Sequence, residues 1–122
     1  MEQRLKSSNL FRKLTTAFTG LLIPYRTEAS IRIQTAVVVA GALLGWYLHI
    51  SRTDWLLLVL AAALLLITEC VNTSIEQLVN LVSPGYHELA GKVKDIAAGA
   101  VFLAGSAAFI ICIFVFIPYF NK

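Results

Sequence analysis

The chain has 122 residues, of which 58% are hydrophobic and only 14% carry a charge, and its formal net charge is +3. Soluble domains carry roughly a quarter charged residues, so the composition excludes an ordinary soluble protein and indicates one membrane domain spanning residues 1–122. Nucleic acid is disfavoured as a partner, because no basic cluster with interleaved aromatic residues lies outside the apolar segments.

The first predicted element is an amphipathic helix at about residues 9–26. Its apolar residues stand at positions 10, 11, 14, 17, 18, 21 and 22, which share one face of a helix. Arg12 and Lys13 lie on another face, as in helices that rest on a membrane surface. The periodicity fits a helix packed on protein equally well, and the neighbouring apolar segments favour the membrane. Pro24 is expected to end this helix.

Three long apolar segments follow, at about residues 29–50, 54–82 and 92–120. Each reaches the roughly 20 residues that a membrane-spanning helix requires. The four residues "SRTD" predict a tight turn between the first two, and the pair "PG" at 84–85 predicts the end of the second. The sequence therefore predicts an all-α membrane protein with three transmembrane helices and a surface helix. Cys70 and Cys112 lie inside apolar segments and are interpreted as small apolar residues.

The orientation follows from the positive charges, which collect on the cytoplasmic side of membrane proteins. Eight basic residues fall on one side of the predicted spans and two, Arg52 and Lys122, on the other. The eight are Arg4, Lys6, Arg12, Lys13, Arg26, Arg32, Lys92 and Lys94. The amino terminus is therefore expected in the cytoplasm and the carboxyl terminus outside, in a bacterial inner membrane.

A polar stripe runs along the cytoplasmic half of the second span. Its members, each within about 60° of Glu69 on an α-helix, are Glu69, Asn72, Thr73, Glu76 and Asn80. Ionisable residues at membrane depth are costly and usually functional. Glu69 lies about 21 Å along the helix from Trp55, which marks the outer interface, so Glu69 is expected near the inner lipid headgroups. Glu76 lies about 10 Å further, at the depth of cytoplasmic solutes.

This arrangement suits phosphoryl transfer from a soluble donor to a membrane alcohol, which requires mainly positioning and charge neutralisation. Glu69 is the candidate general base for a lipid hydroxyl. Glu28 and Glu76 are candidate ligands of a divalent metal ion. On the nucleotide side, Lys94 and Asp95 are candidates for neutralising phosphate charge and anchoring metal or ribose. Tyr86 and His87 are candidates for contacting a base.

Simpler roles stand beside these. Glu69 could instead form an ion pair with a basic residue of a neighbouring helix. Glu28 could form one with Arg32, four residues further on. Asn72 fits a hydrogen bond between helices. His87 fits a solvated loop residue, and Lys94 fits a determinant of topology.

The motif "ECVNTSIEQLVN", followed by "YHELAGKVKDIAAGAV", resembles the small integral-membrane diacylglycerol kinases of prokaryotes, a family that includes undecaprenol kinases. The resemblance extends to "TEASIRIQ" and "SRTDW" and so covers nearly the whole chain. It implies a homotrimer whose active sites are shared between neighbouring subunits. It also implies transfer of the γ-phosphoryl group of Mg-ATP to a lipid hydroxyl without a phosphate-binding loop of the P-loop type.

The resemblance assigns roles to individual positions. Glu69 resembles the family's general base, Glu28 and Glu76 its metal ligands, and Asn72 a contact to γ-phosphate or metal. The remaining expected nucleotide contacts are Asn80, Tyr86, His87, Lys94 and Asp95.

Two features of the resemblance leave questions open. Family members usually carry Asp where this chain has Asn80, so weaker or altered nucleotide binding is expected, and an inactive or weakened relative remains an alternative. The lipid is also open: Ala98 and Gly99 resemble the undecaprenol branch, whereas "YHELAGK" is shared with the diacylglycerol branch. The polyprenol is slightly favoured.

A different class of function uses the same residues. A small oligomeric transporter or proton channel would employ Glu69 as a relay. The sequence disfavours this function, because residues 55–67, "WLLLVLAAALLLI", offer no polar path through the outer half of the second span.

Overall fold

The computed structural model describes the backbone of residues 2–121 and the side chains of residues 9–121. Within that range it consists of four α-helices and no strand. They are α1 (Glu2–Thr27), α2 (Ala29–Tyr47), α3 (Arg52–Val82) and α4 (Glu88–Phe120). Helices α2, α3 and α4 are long and apolar enough to cross a membrane. The prediction of an all-helical protein with three membrane spans is thereby confirmed.

Helix α1 exposes its apolar side chains, including Phe11 and Phe18. The sequence analysis expected this helix to end at Pro24, but it continues to Thr27. Proline removes one backbone donor without preventing the next residues from staying helical. The amide of Glu28 still donates to the carbonyl of Pro24 over 2.8 Å. Beyond this point Tyr25 Oη lies 2.8 Å from Thr35 Oγ1, which joins the end of α1 to α2. The position of α1 on a membrane surface stays a prediction.

The short link between α2 and α3 is closed by capping and by a tyrosine from α4. Ser51 is the N-cap of α3, and its Oγ accepts a hydrogen bond from the amide of Asp54 at 3.1 Å. Tyr119 Oη donates to Asp54 Oδ2 at 2.6 Å and accepts from the amide of Ser51 at 3.0 Å. The end of α4 is therefore joined to the beginning of α3.

Gly45 lets the last turn of α2 approach this corner closely. A Cβ atom at Gly45 would come within 2.9 Å of Ile50 Cδ1 and 3.1 Å of Trp55 Cη2. Small residues permit this kind of close helix approach in membrane proteins. A Cβ atom at Gly41, one turn earlier, would meet no described atom within 4 Å apart from its chain neighbours and the backbone of its own helix.

We expect Gly45→Val to lower the free energy of unfolding by about 1–3 kcal/mol, because the branched side chain overpacks the corner against the Trp55 ring. Thermal unfolding of the detergent-solubilised protein measures this change. Gly41→Val is the matched control in the same helix, and equal destabilisation by both substitutions would contradict the prediction.

Helices α3 and α4 form the most extensive helix pair, and small residues line it. Ala61, Ala97, Ala104 and Ala108 are buried. In an 18-residue apolar stretch of each helix, the subunit nevertheless buries only 11% of the stretch in α2 and 22% in α3 and in α4. Most of the apolar surface of these helices therefore remains for contact with lipid or with other subunits.

The connection between α3 and α4 is short. Helix α3 ends at Val82, ahead of the predicted "PG" pair, and α4 begins at Glu88, before the predicted third span. His87 makes this early start possible, because its Nδ1 accepts a hydrogen bond from the amide of Leu89 at 3.2 Å. An acceptor at this position satisfies one of the free amides of the first turn.

Candidate active site

The centre of the site is the carboxylate of Glu69, which is only 4% exposed. Helix α2 supplies two donors to it. Ser30 Oγ donates to Oε1 at 2.5 Å, and Gln34 Nε2 donates to Oε2 at 3.0 Å. Ser30 and Gln34 are four residues apart and therefore share one face of α2. We call these three residues the Glu69 cradle.

The carboxylate of Glu69 has no cationic partner among the described side chains. The one salt bridge among them joins Lys92 Nζ to Glu88 Oε1 at 3.5 Å. Neutral donors satisfy a buried carboxylate without cancelling its charge. Among the described residues, Glu69 therefore has no ion-pair role.

Glu28 stands at the N-cap of α2, one turn before Arg32, with φ −119° and ψ 126°. Its side chain forms no capping hydrogen bond. The expected alternative, an ion pair with Arg32, does not form, because Arg32 Nη1 donates instead to the carbonyl of Tyr25 at 3.1 Å. Glu28 thus offers a half-buried carboxylate close in sequence to Ser30.

Asn72 and Glu76 lie on the next turns of α3 after Glu69. Asn72 Nδ2 donates to Glu76 Oε1 at 3.4 Å, a long hydrogen bond. Asn72 is 9% exposed, and its Oδ1 has no hydrogen-bond partner among the described residues, nor has Oγ1 of Thr73. Buried polar atoms are normally hydrogen-bonded, so these two atoms are candidates for contact with a ligand, a water molecule or another subunit.

Asn80 and Lys94 join α3 to α4 at the end of the stripe that is farthest from Glu69. Lys94 Nζ donates to Asn80 Oδ1 at 2.6 Å. Because the partner is an amide and not a carboxylate, the ammonium is oriented while its full charge is retained. This positive charge is available to a phosphate group.

The remaining candidates lie at the surface of the subunit. Tyr86 is 98% exposed in the loop between α3 and α4. His87 caps α4 through Nδ1, and Asp95 is exposed one residue after Lys94. The structure therefore places Glu69, Asn72 and Glu76 along α3 and joins Asn80 to Lys94 by a hydrogen bond. It joins Glu28, Tyr86 and Asp95 to none of these by a hydrogen bond among the described residues.

Magnesium was expected from the sequence, and the available oxygen atoms fit it. No three His, Cys, Asp or Glu side chains within the described range converge on one point. Mg²⁺ usually binds through one or two carboxylates together with water and substrate phosphates, so a complete cage is not required. Among the described residues, Asn72 faces the Glu76 carboxylate with Nδ2 while its Oδ1 is buried without a partner, and Glu28 has a carboxylate without a cationic partner. These are the oxygen atoms that this part of the chain offers to Mg²⁺.

An apolar groove of about 310 Å³ lies between α2, α3 and α4, on the Trp55 side of Glu69 along α3. Small and aliphatic residues line it, among them Gly41, Ala62 and Gly105. Its lining begins at Val37 and Leu65, each about one helical turn from a member of the Glu69 cradle.

Ser30 and Gln34 are the site residues that the sequence analysis missed. The available signal was two polar residues spaced by four at the entrance of an otherwise apolar span, in "SIRIQ". That spacing predicts one shared helix face but does not say which helix the face contacts.

The fold and the site define a multi-pass, all-helical membrane protein with a buried carboxylate on α3 that two polar residues of α2 hold. Comparison with known proteins agrees: the model of the family described as prokaryotic diacylglycerol kinase matches residues 15–116. The chain belongs to this family, whose members include lipid kinases.

Three relatives illustrate the similarity. A diacylglycerol kinase of Synechocystis is 38% identical over 104 residues, which are 84% of this chain and 59% of that protein. An undecaprenol kinase of Bacillus subtilis is 29% identical over 117 residues, 96% of this chain and 95% of that protein. A diacylglycerol kinase of Escherichia coli is 30% identical over 88 residues, 72% of each chain. The chain thus spans about three fifths of the length of the Synechocystis relative and nearly all of the B. subtilis one.

Proposed function

We propose that the protein is an ATP- and Mg²⁺-dependent lipid kinase that phosphorylates the hydroxyl group of a membrane lipid alcohol, undecaprenol or diacylglycerol. The observation that carries the proposal is the buried Glu69 carboxylate, held by Ser30 and Gln34 and paired with no described cation. A base for an alcohol must be oriented and free of a neutralising charge, and Glu69 meets both requirements.

The reaction assigns one role to Glu69. The lipid hydroxyl oxygen attacks the γ-phosphorus of ATP, and its proton passes to the carboxylate. The bond between the γ-phosphorus and the bridging oxygen breaks, which leaves ADP and the lipid phosphate. Each carboxylate oxygen has a further lone pair beyond the one used by Ser30 or Gln34, so a lone pair remains to accept this proton.

The nucleotide side of the proposed site begins at Asn72 and extends to Lys94. Bound Mg²⁺ would neutralise phosphate charge during the transfer, and Glu76, Glu28 and the Oδ1 atom of Asn72 would hold it. Lys94, oriented by Asn80, would attract the phosphates. The exposed residues Tyr86, His87 and Asp95 are proposed to contact the remainder of ATP.

The lipid is proposed to enter from the hydrocarbon side. A lipid chain in the apolar groove would have its polar end about one turn from Gln34 and Glu69. A polyprenol has no polar group besides its hydroxyl, which suits a groove lined by Val37, Leu65 and small residues. Undecaprenol is therefore the first substrate to test, with diacylglycerol beside it.

The protein is further proposed to work as a homotrimer in a bacterial inner membrane, with the amino terminus in the cytoplasm and the carboxyl terminus outside. The low burial of the three spans within one subunit supports association. Shared sites would also give partners to Glu28, Tyr86 and Asp95, which have no hydrogen-bonded site partner in the described part of one subunit.

No observation favours the transporter or channel. The buried polar residues of α3 are confined to Glu69, Asn72 and Thr73 among the described positions. Thr68 bonds to carbonyls of its own helix at 2.8 and 2.9 Å, and the outer half of α3 buries Ala61. A proton path needs polar groups across the whole span.

The proposal is tested by offering the purified protein γ-labelled ATP and Mg²⁺ with undecaprenol and diacylglycerol in parallel. We expect label in the extracted lipid phosphate, with more in the polyprenol product, and none when EDTA removes the metal ion. Absence of label in both lipids, with nucleotide-independent proton flux in proteoliposomes, would overturn the proposal in favour of the channel.

A further inference from the structure

The Glu69 cradle contains two residues to which the proposed reaction has so far given no role. The two carboxylate oxygens of Glu69 accept one hydrogen bond each, and both donors come from one face of α2. We propose that Ser30 and Gln34 are positioning residues that fix the plane of the Glu69 carboxylate for the lipid hydroxyl. This inference rests on the proposed lipid kinase activity and assigns it two further residues.

A carboxylate held through one oxygen can still rotate about the bond that joins it to its side chain. Two donors on separate oxygens prevent this rotation, because any turn lengthens at least one hydrogen bond. The bond from Ser30 has the 2.5 Å length of a charge-assisted hydrogen bond, and the bond from Gln34 is 3.0 Å long. The remaining lone pairs of Glu69 then point in fixed directions, as proton transfer requires.

The amide of Gln34 indicates that this arrangement serves function more than stability. A carboxylate only accepts hydrogen bonds, so the Nε2 group of Gln34 must face Glu69. Its Oε1 atom is consequently turned away, and it is buried without a partner among the described residues. This unsatisfied acceptor costs stability, so the hydrogen bond to Glu69 is maintained at the expense of a buried carbonyl oxygen. Gln34 is therefore explained by what it does to Glu69.

The test compares Ser30→Ala and Gln34→Met with two matched controls, Ser106→Ala and Gln77→Met. Ser106 donates to a carbonyl of its own helix at 2.9 Å, and Gln77 is exposed on α3. We expect kcat to fall about tenfold or more in each cradle variant, with KM for lipid and for ATP within about twofold of wild type. We expect both controls to keep wild-type kcat, and Ser30→Thr, which retains the hydroxyl group, to restore most of the activity.

Thermal unfolding in detergent is measured in parallel. We expect Gln34→Met to unfold at a lower temperature than wild type, because Oε2 of Glu69 loses its donor, but to stay folded at the assay temperature, so that its lower kcat reflects orientation of the base. Unchanged kcat in Ser30→Ala and Gln34→Met, a loss seen only in KM, or failure of both variants to fold would overturn the positioning role. If the wild-type protein phosphorylates neither lipid, the proposed function itself falls, and the inference falls with it.

Discussion

Replacement of Glu69 by glutamine is expected to lower kcat for ATP-dependent lipid phosphorylation by a factor of about 10²–10⁴, the usual contribution of a general base. Glutamine has nearly the same shape and can still hydrogen-bond to Ser30 and Gln34. It cannot accept the proton of the lipid hydroxyl. The loss is therefore expected in kcat, measured by transfer of the labelled γ-phosphoryl group at saturating ATP and lipid.

Glu88→Gln is the matched control for this substitution. Glu88 is an exposed carboxylate at the start of α4 that pairs with Lys92 on the surface, and such pairs contribute little. We expect Glu88→Gln to keep wild-type kcat and thermal stability. A Glu69→Gln protein with wild-type turnover would show that another group accepts the proton.

Replacement of Glu76 by glutamine is expected to impair use of Mg²⁺. Glu76 is a half-buried carboxylate one helical turn from Asn72, and a neutral amide is a much weaker ligand for a hard cation. We expect the Mg²⁺ concentration for half-maximal activity to rise about tenfold or more, and kcat/KM for ATP to fall with it. A Mg²⁺ titration at fixed ATP measures both changes.

The Glu69→Gln protein provides the comparison for this titration. Its residual activity should retain the wild-type Mg²⁺ requirement, because Glu69 is proposed to accept a proton and not to hold the metal ion. The two substitutions therefore produce different kinetic changes at positions two helical turns apart on α3. An unchanged Mg²⁺ requirement in Glu76→Gln, or an equal shift in Glu69→Gln, would contradict this division of roles.

Local patterns were sufficient for much of the fold. The apolar lengths predicted three membrane spans, and the structure has three helices long and apolar enough to cross a membrane. The periodicity that placed Glu69, Asn72 and Thr73 on one stripe agrees with their burial on one helix. Such features depend on residues close in sequence, so hydropathy and helix geometry predict them directly. Pro24 was misread as a helix end, because a proline removes one backbone hydrogen bond without forcing the chain out of the helix.

Contacts between helices could not be predicted in this way. Hydrophobicity determines that α2 and α3 are buried in a membrane, but not how far each is rotated or shifted along its axis. That rotation brings Ser30 and Gln34 to Glu69, and the packing of α3 on α4 brings Lys94 to Asn80.

What the sequence by itself determined is therefore the membrane class, the three spans and the polar stripe, because each follows from the order of residues along one helix. Only the tertiary structure decided which neutral donors hold the buried carboxylate, that Arg32 turns to Tyr25 and away from Glu28, and that Tyr119 joins α4 to the first turn of α3. These contacts join residues on different helices or depend on the direction in which a long side chain points. They arise from packing, which no periodicity along a single helix encodes.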